Sequence, residues 1–248
     1  MAFPAQPTVL SFSQTGDFPM TAAVAQQSTP SSRTAISKLA LGVTAGLPIA
    51  TAALTLLAIG IWLIPGASEL FEFRREAIAS GEFWRAITGH VTHWNADHLL
   101  WDAVMFAVLG ALVERTSRRA FLATCAVSAA AISATLWFCR PGLELYRGLS
   151  GIDSALFVFQ AGWLVREALV ERRRAASLVL TVALAGFAAK IGYELVTGAT
   201  LFVDSAAAGF APLPLAHVIG GAVGLFTLGA FVRKLDTFSN CGLMHQPV

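Results

Sequence analysis

Tyr146-Arg147-Gly148-Leu149-Ser150-Gly151 runs straight into the apolar stretch Ile152 to Val165, and this junction decides the fold. A serine with glycine on both sides sits where a polar loop becomes a membrane-length helix. In lipid, backbone that breaks helix persists only where protein or water satisfies its polar groups. Gly148 and Gly151 permit conformations and close approaches that a side chain blocks. Ser150 then lies near a helix N-terminus, where unpaired N–H groups and the helix dipole favour developing negative charge. The position suits a nucleophile. It equally suits the small residues that let membrane helices pack, so the motif alone leaves both readings open.

The 248 residues are 56% hydrophobic and only 13% charged, against about a quarter charged in soluble domains. The apolar residues come in long blocks, so the chain is read as a polytopic membrane protein. A net charge of +2 offers nothing to nucleic acid. Cys125 and Cys139 share one apolar segment, roughly 21 Å apart if helical, too far to pair. Cys241 stands alone in the tail. Free, inert thiols are expected.

Residues 1–37 are rich in Ser, Thr, Gln, Ala and Pro and are read as a disordered cytoplasmic tail without a secretory signal. A membrane domain over 38–234 and a cytoplasmic tail over 235–248 follow. Six spans are expected, at about Leu39–Ile64, His98–Val113, Ala120–Phe138, Gly151–Val165, Ala175–Leu195 and Leu213–Val232. The loop over 66–97 mixes charges with Phe71, Phe73, Phe83, Trp84 and Trp94, as suits short amphipathic pieces at headgroup depth. Residues 196–212 form a Gly/Ala-rich connection with one acid, Asp204, and no base. Arg115, Arg118, Arg119, Arg166, Arg172, Arg173, Arg174, Arg233 and Lys234 fall in the segments that are inner if the N-terminus is inside. This excess places both termini in the cytoplasm. Lys190 falls within the fifth span.

With that topology, spans two, four and six enter from the outer face. His98 and Asp102 lie four apart on one face of span two, Ser150 starts span four, and His217 lies roughly 5 Å inside span six. Ionisable groups at that depth are costly and face a protein interior or a water-filled cavity. A serine hydroxyl needs a base to take its proton, and histidine is the usual one. An oxyanion formed by acyl attack needs donors, which backbone N–H near Ser150 and the His98 side chain can supply. Singly, each histidine can instead bond a neighbouring carbonyl, and Asp102 can be a structural acid or a proton-relay residue. The shared depth of all four favours a protease site.

These residues resemble the rhomboid family of intramembrane serine proteases. The likeness runs from Trp84 to Gly224: Trp84-Arg85 in the first loop, His93, His98 four before Asp102, Gly148-Leu149-Ser150-Gly151, and Ala216-His217 with Gly220 and Gly224. It implies an all-α, six-helix bundle with an interfacial loop between the first two helices. It implies Ser150 as nucleophile and His217 as general base, with His98 and Asp102 helping the oxyanion hole. It also implies that the Trp84-Arg85 loop is a structural element at the outer leaflet, and that Gly220 and Gly224 let span six pack closely on span four. The stretch from Tyr146 to Gly151 further resembles the rhombosortase branch, which processes C-terminal anchors of bacterial surface proteins.

Two positions depart from the family pattern. Asp102 stands where Asn is usual, and an ionised aspartate repels an oxyanion, so a neutral, hydrogen-bond-donating Asp102 is expected. Ser154, beside Asp153, stands where a ring usually packs near the base. The expected activity is serine-type endopeptidase cleavage of transmembrane segments or membrane anchors near the outer face of a plasma (inner) membrane. Transmembrane proteins and the lipid bilayer are its partners, without cofactor, metal or nucleic acid. A catalytically inactive homologue that binds membrane clients is the first alternative, and a small transporter the second. His90, His93 and His98 lack the His-Glu-x-x-His pattern of a metalloprotease.

Overall fold

The structure, a computed structural model, describes residues 46–198 and 213–243, with side chains up to Thr237. The expected N-terminal tail, the start of the first span, most of the 196–212 connection with Asp204, and residues 244–248 lie outside the described residues.

The described chain is nearly all helix. Helix α1 (Ile49–Leu63) stops before Pro65, and Ile64 is extended as a residue before proline must be. Three short helices follow: α2 (Ala67–Phe71), α3 (Arg75–Ala79) and α4 (Arg85–Thr88). The long helices are α5 (Ala96–Thr116), α6 (Arg118–Cys139), α7 (Ser150–Val170), α8 (Arg174–Thr197) and α9 (Pro214–Leu243). Strand β1 (Phe73–Arg74) pairs antiparallel with β2 (Leu145–Tyr146), placing Phe73 opposite Tyr146. The backbone of α9 continues to Leu243, through much of the stretch expected as a C-terminal tail.

Local sequence explains the helix starts. Asn95 caps α5 by accepting from the His98 N–H at 2.8 Å, and Ser117 caps α6 through the Ala120 N–H. Helix α1 has no cap of its own. Glu114, near the end of α5, supplies it: Oε1 accepts from Ala50 N–H at 3.1 Å and Oε2 from Thr51 N–H at 2.8 Å.

Four helices, α5, α6, α8 and α9, are long and apolar enough to cross a membrane, and α1 is a shorter apolar helix. This is a multi-pass membrane protein. Helix α7 is of spanning length but carries Asp153, Gln160, Arg166 and Glu167. It can be polar because it is central: α5, α6, α8 and α9 all pack on it, and its first half is buried almost throughout. Helix α8 is the opposite case. Its only buried residue is Glu194, and its apolar side chains, such as Leu178, Val179 and Val182, face outward.

The loop between α1 and α5 is built rather than solvated. Arg85 is buried and donates to the Glu69 carbonyl at 2.8 Å and to the Glu82 carboxylate at 2.6 Å. Arg75 donates to the carbonyls of Leu136, Trp137 and Arg140, which end α6, and to Leu143 O. Its guanidinium lies 4.7 Å over the Trp137 ring. Leu70, Phe83 and Trp84 stay exposed around this braced centre.

Candidate active site

Leu145 to Gly148 is fixed from the loop side before α7 begins. Arg147 Nε donates to the fully buried Glu72 at 2.7 Å, its guanidinium also reaches Glu69 and the His93 carbonyl, and it stacks 4.6 Å over Trp94. The neighbouring Arg147 guanidinium lowers the pKa of Glu69, after the larger effect of a backbone N–H bond. The Tyr146 hydroxyl donates to the Gly148 carbonyl at 3.1 Å, and burial pushes its pKa upward. Gly148 adopts φ +128°, and a Cβ there would meet the His98 ring at 2.9 Å. Only glycine fits both the conformation and the space.

Helix α7 opens at Ser150 without a side-chain cap from its own sequence. Asp102, buried on α5, replaces one: Oδ2 accepts from Leu149 N–H at 2.8 Å and from Ser150 N–H at 3.1 Å. Nε2 of His93 and Nε2 of His98 each lie 3.3 Å from the same oxygen. A neutral, donating Asp102 is the expectation from sequence; Oδ2 acts as an acceptor here, so the proton of a neutral form would sit on Oδ1. The orphan N–H groups of a helix start attract such an acceptor. His90 turns away from this cluster. Its Nε2 contacts Ala129 O at 3.1 Å and Ser133 Oγ at 3.0 Å on α6, and burial lowers its pKa to about 4. Thus His90 is not brought together with His93 and His98.

Helices α7 and α9 meet without intervening side chains. A Cβ on Gly220 would fall 1.9 Å from the Gly151 carbonyl oxygen, and one on Gly224 would fall 2.4 Å from that of Ala155. The close packing expected of these two glycines is found. A Cβ on Gly151 would meet Ala216 O at 3.1 Å. The residues following Ser150 and preceding His217 are therefore in contact, and both side chains are half-buried. Ser154 uses its hydroxyl locally, donating to Ser150 O at 2.8 Å. Its Cβ faces Gly220, where a ring would hold the helices apart. The buried Asp153 has no partner for Oδ1 among the described residues.

One part of the arrangement was not singled out from sequence. His217 Nδ1 lies 2.9 Å from Glu194 Oε2, and Lys190 Nζ lies 3.0 Å from Glu194 Oε1. Both come from α8. A Lys–Glu pair at i,i+4 inside an otherwise apolar helix was the signal that could have found them.

The family profile of the Rhomboid domain matches residues 80–234, from the loop before α5 through most of α9. No curated protein matches the chain.

Proposed function

The chain belongs to the rhomboid family, generally serine intramembrane proteases, and from that premise we propose that it is a serine endopeptidase with Ser150 as nucleophile and His217 as general base. The observation that carries this reading is the direct contact of α7 and α9 at Gly151, Ala216 and Gly220. It brings the residues beside Ser150 and His217 together at one end of the bundle. In the proposed reaction His217 takes the Ser150 proton as Oγ bonds to the scissile carbonyl carbon, and returns it to the leaving amine. Water then repeats the sequence on the acyl-enzyme. His98 is the side-chain donor for the oxyanion, and the backbone N–H groups of Leu149 and Ser150 join it when they leave Asp102 Oδ2.

The finer architecture belongs to the same proposal: six spans within residues 38–234, flanking tails at 1–37 and 235–248, both termini cytoplasmic, in a plasma (inner) membrane. Substrates are transmembrane segments or membrane anchors that unwind near the outer surface, and the rhombosortase-like branch fits the Tyr146–Gly151 stretch. No cofactor is required.

A specific observation favours a second reading. Asp102 Oδ2 already occupies the N–H groups of Leu149 and Ser150, as it would in an inactive homologue that binds membrane clients. One experiment separates the two. Purified protein in liposomes is treated with a fluorophosphonate, and intact mass is compared for wild type, Ser150→Ala and His217→Ala. Labelling of wild type that is lost in both variants is expected. A folded wild type that stays unlabelled overturns the protease reading in favour of the client-binding one.

A further inference from the structure

Helix α8 buries one residue, and that residue is a carboxylic acid in contact with the histidine assigned as base. Glu194 is 1% exposed, and its Oε2 lies 2.9 Å from His217 Nδ1. We propose that Glu194 is a positioning residue that makes the dyad a Ser150–His217–Glu194 triad; this rests on the protease reading above.

A neutral imidazole carries one proton, on either nitrogen. It can accept the Ser150 proton only if Nε2 is bare and Nδ1 is protonated. A buried carboxylate bonded to Nδ1 selects that tautomer and holds the ring in place. It then stabilises the imidazolium that forms when the Oγ–H bond breaks, without taking the proton itself. That charge has no other anion on α8 to meet it. Asp102, the other carboxylate of the site, is already engaged by His93, His98 and two backbone N–H groups.

Lys190 admits one competing arrangement. Its Nζ is 3.4 Å from His217 Nδ1, and an ammonium donating there would leave the proton on Nε2 and silence the base. The distances choose otherwise. Glu194 is closer to Nδ1 at 2.9 Å, and Lys190 is closer to Glu194 Oε1 at 3.0 Å. Lys190 thus offsets the charge of Glu194 in the membrane, and Glu194 accepts the hydrogen bond that Nδ1–H donates.

The test measures the fluorophosphonate labelling rate and melting temperature of wild type, Glu194→Gln and Glu194→Asp, together with the 15N spectrum of the histidines. Loss of the Asp of a hydrolase triad typically costs several orders of magnitude in rate. Glu194→Gln should therefore label at least about 100-fold more slowly at an unshifted melting temperature, while Glu194→Asp stays within about tenfold of wild type. The His217 signal, identified by its loss in His217→Ala, should report protonation at Nδ1 in wild type. Wild-type labelling speed in Glu194→Gln overturns the triad and leaves the dyad standing. An unlabelled wild type removes the protease reading, and the spectrum then decides: a His217 protonated at Nε2 removes the Glu194 assignment as well.

Discussion

Helix α5 carries a buried carboxylate near each end, and each caps a different helix. Asp102 takes the first N–H groups of α7; Glu114, roughly 18 Å further along the axis, takes those of α1. The burial is similar, at 6% and 2% exposure. The neighbours differ. Glu114 is also bonded by the Thr51 hydroxyl at 2.8 Å and by Arg118 at 2.9 Å, and arginine never gives up its charge. Asp102 is met instead by the imidazoles of His93 and His98, and the helix it caps starts with Ser150. One device thus serves two ends: at Glu114 a joint closed by a guanidinium and a hydroxyl, at Asp102 a joint closed by two imidazoles beside the serine proposed as nucleophile.

Several perturbations would break or sharpen that contrast. Glu114→Ala leaves two buried N–H groups and a cation without their partner, and should destabilise the fold by about 3 kcal/mol or more in reversible detergent unfolding. Its folded fraction should label at the wild-type rate; slower labelling would mean that the Glu114 end is coupled to the site after all.

The next effect is one of pH and belongs to the loop that packs on α6, not to either cap. His90 has a native pKa of about 4 against an ordinary 6.5, so below pH 6.5 the unfolded chain binds a proton that the native state refuses. Stability is complete above that pH and falls as pH drops towards 4, by roughly 3 kcal/mol at its limit. His90→Gln should flatten this dependence, and an unaltered slope assigns it to other groups.

A smaller effect is expected at the reacting end. Asp102→Asn keeps an acceptor for the N–H groups of Leu149 and Ser150 but removes a negative charge from the site of the oxyanion. Fluorophosphonate labelling should accelerate by about tenfold, and a slower reaction would show that the charge itself is needed. Smallest of all, Thr51→Val removes one of the hydrogen bonds to Glu114 and should cost about 1 kcal/mol of stability, with no change in labelling.

Much of this was legible in the sequence because membrane helices make polar residues conspicuous. Ser150, His98, Asp102 and His217 stand out in apolar surroundings, and the glycines at 220 and 224 announce a close helix contact. Their partners were harder to read. Which N–H groups Asp102 caps depends on how α5 and α7 cross, and no spacing within either helix contains that. Glu114 and Thr51 are joined only by the packing of α1 on α5. Glu194 lies next to the expected end of the fifth span, and its partner His217 arrives from another helix. The first span was read from hydropathy as longer than α1, whose described helix starts at Ile49; residues 46–48, which include Pro48, precede it without helix.

The pairing of Phe73 with Tyr146 also has a meaning for how the molecule is born. The chain leaves the ribosome from its N-terminus, so the loop over 66–95 and the α5–α6 hairpin exist before residues 145–150 emerge. The strand that the turn before Ser150 pairs with is therefore already synthesised when that turn emerges. His217 follows nearly seventy residues later, after α7 and α8. On the proposed assignment, a nascent chain has its serine before its base, and the dyad is complete only once the last helix has been made.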